Sequence, residues 1–200
     1  MALTYYHFLV DNSALPALTG HVADAIFNRP NSSLVPVPTH LVDAYCGSGL
    51  FAITLQERFE RVAGVEIDAN AIQRATLNVG LNSIDPPEKM AFLAGSAEAI
   101  FATVQSFPRL QTALVIDPPR RGCDEVFLTQ MLEFGAGTVV YVSCNVHSQA
   151  RDIGVILKGE VSLGGGGKWQ YVLESVRGLD LFPQTSHVES IAVLRLTERV

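Results

Sequence analysis

Five short apolar runs alternate along this chain with stretches of helical periodicity, and that alternation restricts the folds open to it. His40 to Tyr45, Val62 to Ile67, Ala91 to Ala94, Ala113 to Ile116 and Thr138 to Ser143 read as buried strands. Leu50 to Arg58, Ala69 to Val79, Asp124 to Phe134 and Val146 to Leu157 read as helices between and after them. Strands joined by helical crossovers pair in parallel, with helices on both faces of one sheet. Such strands are covered on both sides, which suits 48% hydrophobic residues against only 17% charged.

The two ends of the chain depart from this rhythm. Near the start, Asn12 or Ser13 can cap a helix whose Leu15, Leu18, Val22 and Ile26 recur on one face. Residues 28–39 carry three prolines and read as a loop. Beyond Lys158, Gly164 to Gly167 form a flexible connection, and Trp169 to Arg177 and Val188 to Leu196 then read as two strands with no helix between them. A terminal hairpin on a parallel sheet is, by analogy of fold, the seven-stranded arrangement of the common methyltransferases.

Composition excludes several classes. The length fits one domain over residues 1–200, with a helix and loop over 1–39 ahead of a core over 40–200. No apolar run is long enough to span a bilayer, and the opening MALTYYHFLVDN lacks the basic start and cleavage site of a secretory signal. Cys46, Cys123 and Cys144 are too few and too scattered for a disulfide framework or a zinc site; they read as reduced thiols of an intracellular protein, with no metal. A net charge of −6 opposes unaided binding of nucleic acid, because phosphate contacts run on Lys and Arg.

Three motifs fall at the ends of expected strands. Asp43-Ala-Tyr-Cys-Gly-Ser-Gly49 opens a helix, and its glycines allow both a tight turn and close approach of a ligand. The Gly47-x-Gly49 spacing alone also fits a turn that binds nothing. Val65-Glu66-Ile67-Asp68 ends the next strand, where a carboxylate can accept from both hydroxyls of a ribose; Glu66 is the candidate, and Asp68 is expected to cap the following helix. Asp117-Pro-Pro-Arg-Arg-Gly122 cannot continue a central strand and reads as a rigid turn at the carboxyl end of the sheet. Asp117 there either faces a bound ligand or caps the next helix.

Cys144 ends the run Val139-Val-Tyr-Val-Ser-Cys144-Asn145, just ahead of a helix whose dipole favours thiolate. Cys46 fits a small packed residue in the glycine turn. Cys123 rivals Cys144, since it also stands at a helix start, beside Arg120 and Arg121.

The run from Asp43 to Gly49, the run Asp117-Pro-Pro-Arg-Arg-Gly-Cys-Asp-Glu125, the run Ser143-Cys-Asn-Val-His-Ser-Gln-Ala-Arg-Asp152 and the run Phe182-Pro-Gln-Thr-Ser-His-Val-Glu-Ser190 together resemble the RNA (uracil-5-)-methyltransferase family. The pattern is most like the family's fungal tRNA branch, and it covers the chain from about Asn12 onward. The resemblance implies an α/β, Rossmann-like, seven-stranded class I fold with a C-terminal antiparallel hairpin. It implies S-adenosyl-L-methionine as cofactor and methylation of carbon 5 of a uridine in the T-loop of tRNA. By the same resemblance Cys144 is the nucleophile and Glu189 the general base, with Tyr45, Gly47, Gly49, Glu66 and Asp117 on the cofactor. From the residues alone, Glu189 reads as an exposed strand-start carboxylate. Arg120 and Arg121 either meet RNA or are solvated turn residues, and His147 and His187 are expected to pack or hydrogen-bond.

The chain departs from the family at two places. Leu9 stands where members carry a glutamine that contacts the cofactor, and a leucine offers no hydrogen bond. The family's RNA-binding module has no counterpart, so the grip on RNA is expected to need sequence outside this chain. Both departures keep open a second reading, a SAM- or tRNA-binding domain without turnover of its own. An amino-group methyltransferase, the third, fits poorly because Arg120 follows the prolines where such enzymes place an aromatic residue.

Overall fold

The computed structural model describes residues 14–30, 33–82, 84, 89–95, 101–164 and 167–199. The caps expected at Asn12 and Ser13, and the departure at Leu9, lie outside the described residues. Eight strands form one mixed sheet: β1 (His40–Ala44), β2 (Arg61–Glu66), β3 (Met90–Ala94), β4 (Thr112–Ile116), β5 (Thr138–Ser143), β6 (Val161–Ser162), β7 (Lys168–Leu179) and β8 (Glu189–Glu198). Their order is β3-β2-β1-β4-β5-β8-β7-β6, with β1 to β5 parallel and β8 antiparallel to both β5 and β7. The β7–β8 pair is the expected hairpin. The eighth strand, β6, was not legible: two residues at a sheet edge carry no periodic signal, and they pair only with Trp169 and Lys168.

Helices described along the sheet include α1 (Leu15–Phe27), α2 (Leu50–Leu55), α3 (Ala69–Leu81), α4 (Glu125–Phe134) and α5 (Val146–Ile156). The helix expected to reach Arg58 stops at Leu55 and tightens into a 3-10 turn over Gln56–Arg58. Period-two alternation sorts the strands between two cores. Val115, Val140 and Val142 join Leu18, Val22 and Ile26 of α1 and Phe51 of α2 on one face. Leu114, Ile116, Val139 and Tyr141 meet Phe127 and Met131 of α4 and Ile156 of α5 on the other. Burial of each such side chain is worth about 1.5–3 kcal/mol relative to exposure.

Arg195 ties α1 to the sheet. It stands on β8, 4% exposed, and its guanidinium donates to Glu174 Oε2 at 3.0 Å, to Thr138 Oγ1 at 2.7 Å and to the carbonyls of Ala25 and Ile26. Glu174 reaches it from a bulge in β7 between Leu173 and Ser175. A cation at the last carbonyls of a helix is well placed, but its removal strands a half-buried carboxylate. Arg195→Ala is expected to lower stability by roughly 3 kcal/mol, read as a shift in the urea midpoint at constant slope.

Candidate functional site

The carboxyl ends of β1, β2, β4 and β5 gather at one crevice, where β1 and β4 lead away in opposite directions along the sheet; open α/β folds bind ligands at such a switch point. The turn after β1 holds three residues at positive φ: Tyr45 at 60°, Gly47 at 53° and Gly49 at 91°. Left-handed geometry is routine for glycine but costs a tyrosine about 1 kcal/mol or more, and such strain gathers at ligand sites. Open space lies where a Cβ on Gly47 would project. The Gly47 N–H donates to Glu66 Oε2 at 3.2 Å, and Glu66 Oε1 accepts from the N–H groups of Ile67 at 2.8 Å and Asp68 at 3.1 Å. Glu66 therefore braces the turn, while Asp68 caps α3 by accepting from Asn70 N–H.

Asp43 belongs to this group, although sequence reasoning named it only as part of a motif. It is fully buried; Oδ2 accepts from the Ala52 N–H at 2.8 Å and Oδ1 has no partner. Burial pushes its carboxyl up to about 8, and the like charges of Asp117 and Glu66 add to the rise. Asp117 follows β4 and opens to solvent, yet the surrounding protein raises its carboxyl as well. It caps no helix, since Asp124 takes that place on α4 by accepting from Phe127 N–H. Four carboxyls thus share the crevice, the fourth being Glu189. A ligand bearing positive charge suits them, because a nearby cation lets the raised carboxyls of Asp43, Asp117 and Glu189 ionise. The orphaned Asp43 oxygen, the open side of Gly47 and the acidic strand ends fit a cofactor with a ribose and a cationic centre.

Cys144 sits between β5 and α5, half-buried. Its neighbour Asn145 caps α5 by accepting from His147 N–H at 3.1 Å, and Asn145 Nδ2 donates to the Arg120 carbonyl at 2.9 Å. Arg120, Cys144, Asn145, His147, Ser186 and His187 line a cleft of about 460 Å³, within the size range of small-ligand pockets. His187 also meets the Phe182 ring edge-on. Glu189 opens β8, and the β5–β8 ladder ends on the pair Ser143–Ser190, so Cys144 follows and Glu189 precedes its last rung. Glu189 is 7% exposed, unlike the exposed carboxylate read from the residues alone. Burial, reinforced by the charge of Asp117, pushes it up to about 8.

The other thiols differ from Cys144. Cys123 is buried, its thiol donates to the Tyr141 hydroxyl at 3.9 Å, and burial pushes it up to about 12. Cys46 is buried in the glycine turn and likewise raised by burial. Two polar side chains of α5 escaped the sequence reading. Gln149 Nε2 donates to the carbonyls of Tyr141 at 2.9 Å and Ser190 at 3.2 Å, lacing β5 to β8 beside Cys144 and Glu189. Asp152 is the other. Both occupy the stripe completed by Ile153 and Ile156, and a polar residue on the apolar stripe of a helix is the signal that marks them.

Among the described residues, no His, Cys, Asp or Glu cluster is placed to hold a metal ion, and no helix is long and apolar enough to cross a membrane.

The strand order, the antiparallel pair beside β5 and the ligand crevice at the strand ends define a class I S-adenosylmethionine-dependent methyltransferase fold. The chain belongs to the tRNA (uracil-5-)-methyltransferase family, whose model matches residues 36–196. It is 42% identical over 187 residues to the tRNA (uracil(54)-C(5))-methyltransferase of Schizosaccharomyces pombe, covering 94% of this chain and 34% of that protein. It is 41% identical over 188 residues to the enzyme of the same name from Saccharomyces cerevisiae, covering 94% of this chain and 28% of that one. The chain therefore spans about a third of the length of these curated relatives. The crystal structure of the Pyrococcus abyssi tRNA (uracil-54, C5)-methyltransferase in complex with S-adenosyl-L-homocysteine superposes with a TM-score of 0.70 at 28% identity, over 94% of this chain and 40% of that one.

Proposed function

We propose that this chain is a catalytic domain that methylates carbon 5 of a uridine in the T-loop of tRNA through a covalent adduct on Cys144. The observation that carries the reading is that Cys144 and a buried Glu189 each stand one residue from the last rung of the β5–β8 ladder, Ser143–Ser190. S-adenosyl-L-methionine supplies an electrophilic methyl group on a sulfonium centre. Tyr45, Gly47, Gly49, Glu66 and Asp117 are assigned to holding it: Glu66 at the ribose, the turn at close backbone range, and Asp117 between cofactor and base.

Carbon 5 of uracil is too weak a nucleophile to take a methyl group unaided. Cys144 Sγ adds to carbon 6, and the electron pair of the 5,6 double bond moves onto carbon 5 and the 4-oxygen as an enolate. Carbon 5 then takes the methyl group as the methyl–sulfur bond breaks, its electron pair staying on the sulfur of the departing S-adenosyl-L-homocysteine. Glu189 accepts the carbon 5 proton, the double bond re-forms, and the carbon 6–sulfur bond breaks to return the thiolate. Arg120, which lines the Cys144 cleft, is assigned to meet the base or its phosphates, while His187 packs edge-on against Phe182.

Net charge −6 disfavours a strong grip of this chain on phosphate, so further sequence is expected to supply much of it. The test is transfer of labelled methyl from S-adenosyl-L-methionine to unmodified tRNA at low salt, with calorimetry of cofactor binding. Label appearing as 5-methyluridine supports the proposal. Tight cofactor binding with no transfer, at any salt, rejects turnover by this chain.

A further inference from the structure

Asp152 is wholly buried, and its carboxylate accepts on both oxygens. Oδ2 takes the Cys123 N–H at 2.8 Å and the Tyr141 hydroxyl at 2.7 Å, while Oδ1 takes Arg151 Nε at 2.9 Å and Nη2 at 2.7 Å. Arg151 Nη2 also donates to the Arg121 carbonyl at 2.7 Å. Arg121, Gly122 and Cys123, consecutive in the turn that begins at Asp117, are thereby clasped onto α5. The residue between the two grips has to be glycine. Gly122 stands at φ 81°, and a Cβ there would lie 2.5 Å from Asp152 Oδ2 and 2.6 Å from Arg151 Nη2. Asn145, beside Cys144, holds the same turn one residue earlier through the Arg120 carbonyl.

A buried carboxylate is costly, and as a contribution to stability alone an apolar side chain would often serve as well. What an apolar side chain cannot do is bind a backbone N–H, a tyrosine hydroxyl and a guanidinium in fixed directions. We propose that Asp152, acting with Arg151, is a positioning residue that fixes the 117–123 turn on α5 and so sets Asp117 and Arg120 relative to Cys144 at the head of the same helix. The proposal rests on the reading of the Cys144 cleft as the reaction site. Asp152 touches no reacting atom; it acts through the turn.

Two variants and three measurements test it. In Asp152→Asn one acceptor becomes a donor, so two of the present donors lose their partner whichever way the amide turns. Arg151→Ala removes the outer grip at a side chain 58% exposed, so its effect is not confounded by loss of the fold. In both variants hydrogen exchange over 117–123 is expected to rise at least about tenfold while the sheet stays protected. Because Arg120 walls the cleft, iodoacetamide is expected to alkylate Cys144 several-fold faster. Methyl transfer is expected to lose on the order of a hundredfold in kcat while the KM for the cofactor rises as Asp117 shifts, whereas loss of folded protein alone lowers apparent kcat and leaves KM unchanged. Arg151→Lys, a cation without the two-pronged fork, is expected to recover part of the loss. Parental exchange and alkylation in both variants overturn the proposal, and so does a loosened turn with parental kcat. If the parent transfers no methyl group at all, the function proposed above fails, while exchange and alkylation still decide whether Asp152 fixes the turn.

Discussion

Replacing Cys144 with alanine is expected to lower methyl transfer by on the order of a thousandfold or more while leaving the melting transition of the chain in place. In the proposed mechanism nothing then adds to carbon 6, and carbon 5 never becomes a nucleophile. Cys144 is only half-buried between a strand and a helix cap, so losing the sulfur leaves little void. Cys123→Ala behaves oppositely: it removes a thiol bonded to Tyr141 in the core and is expected to cost stability while sparing the chemistry. RNA carrying 5-fluorouridine sharpens the contrast. Addition and methylation proceed, but fluorine cannot leave carbon 5 as a proton does, so the carbon–sulfur bond persists. A gel-stable complex is expected with the parent and with Cys123→Ala, and none with Cys144→Ala. A complex that forms without Cys144 refutes its assignment as nucleophile.

Glu189→Gln is expected to separate methylation from release. Cys144 still adds and carbon 5 still takes the methyl group, but the carbon 5 proton has no acceptor. Turnover is expected to fall by about 10²–10⁴-fold, with a covalent complex accumulating on ordinary uridine RNA. Rapid turnover without accumulation assigns the base elsewhere. The same substitution carries a pH signature. In the folded chain Glu189 titrates near 8 against an ordinary 4.5, so across that window the folded state keeps a proton that the unfolded state gives up. Raising the pH from 4.5 to 8 therefore lowers the stability of the parent, and above 8 this contribution is flat. Glutamine removes the titration. The stability of Glu189→Gln relative to the parent is expected to grow across the window, by on the order of a few kcal/mol at most, read from urea unfolding at fixed pH values. In the parent, kcat/KM is expected to climb toward a plateau near pH 8 as the free carboxyl ionises.

Much of this fold is legible in the sequence because its central strands are buried on both faces. Thr138 to Ser143 is read to the residue, since six buried positions between a glycine and a helix cap leave no other boundary. β7 runs beyond Trp169 and Arg177 because its exposed, polar residues mask its ends, and β6 is too short to carry a pattern. The site divides in the same way. Asp117 and Glu66 declare themselves by following apolar runs. The burial of Glu189 could not be read locally, because it depends on β8 pairing with a strand far earlier in the chain. Helix-start chemistry alone does not separate Cys123 from Cys144; the resemblance to the family singles out Cys144, and in the fold Tyr141 and Asp152 close over Cys123.

The ladder between β5 and β8 has an evolutionary consequence. The proposed nucleophile and base each stand one residue from the last paired rung, Ser143–Ser190, so that rung rather than the chain joining β7 to β8 sets their spacing. Residues 180–188 can lengthen, shorten or change composition without moving Cys144 against Glu189, provided that the ladder holds its register. That connection supplies Ser186, His187 and Val188 to the wall of the cleft. If the cleft binds the substrate as proposed, its preference can drift by rebuilding one loop while the spacing of Cys144 and Glu189 is inherited intact.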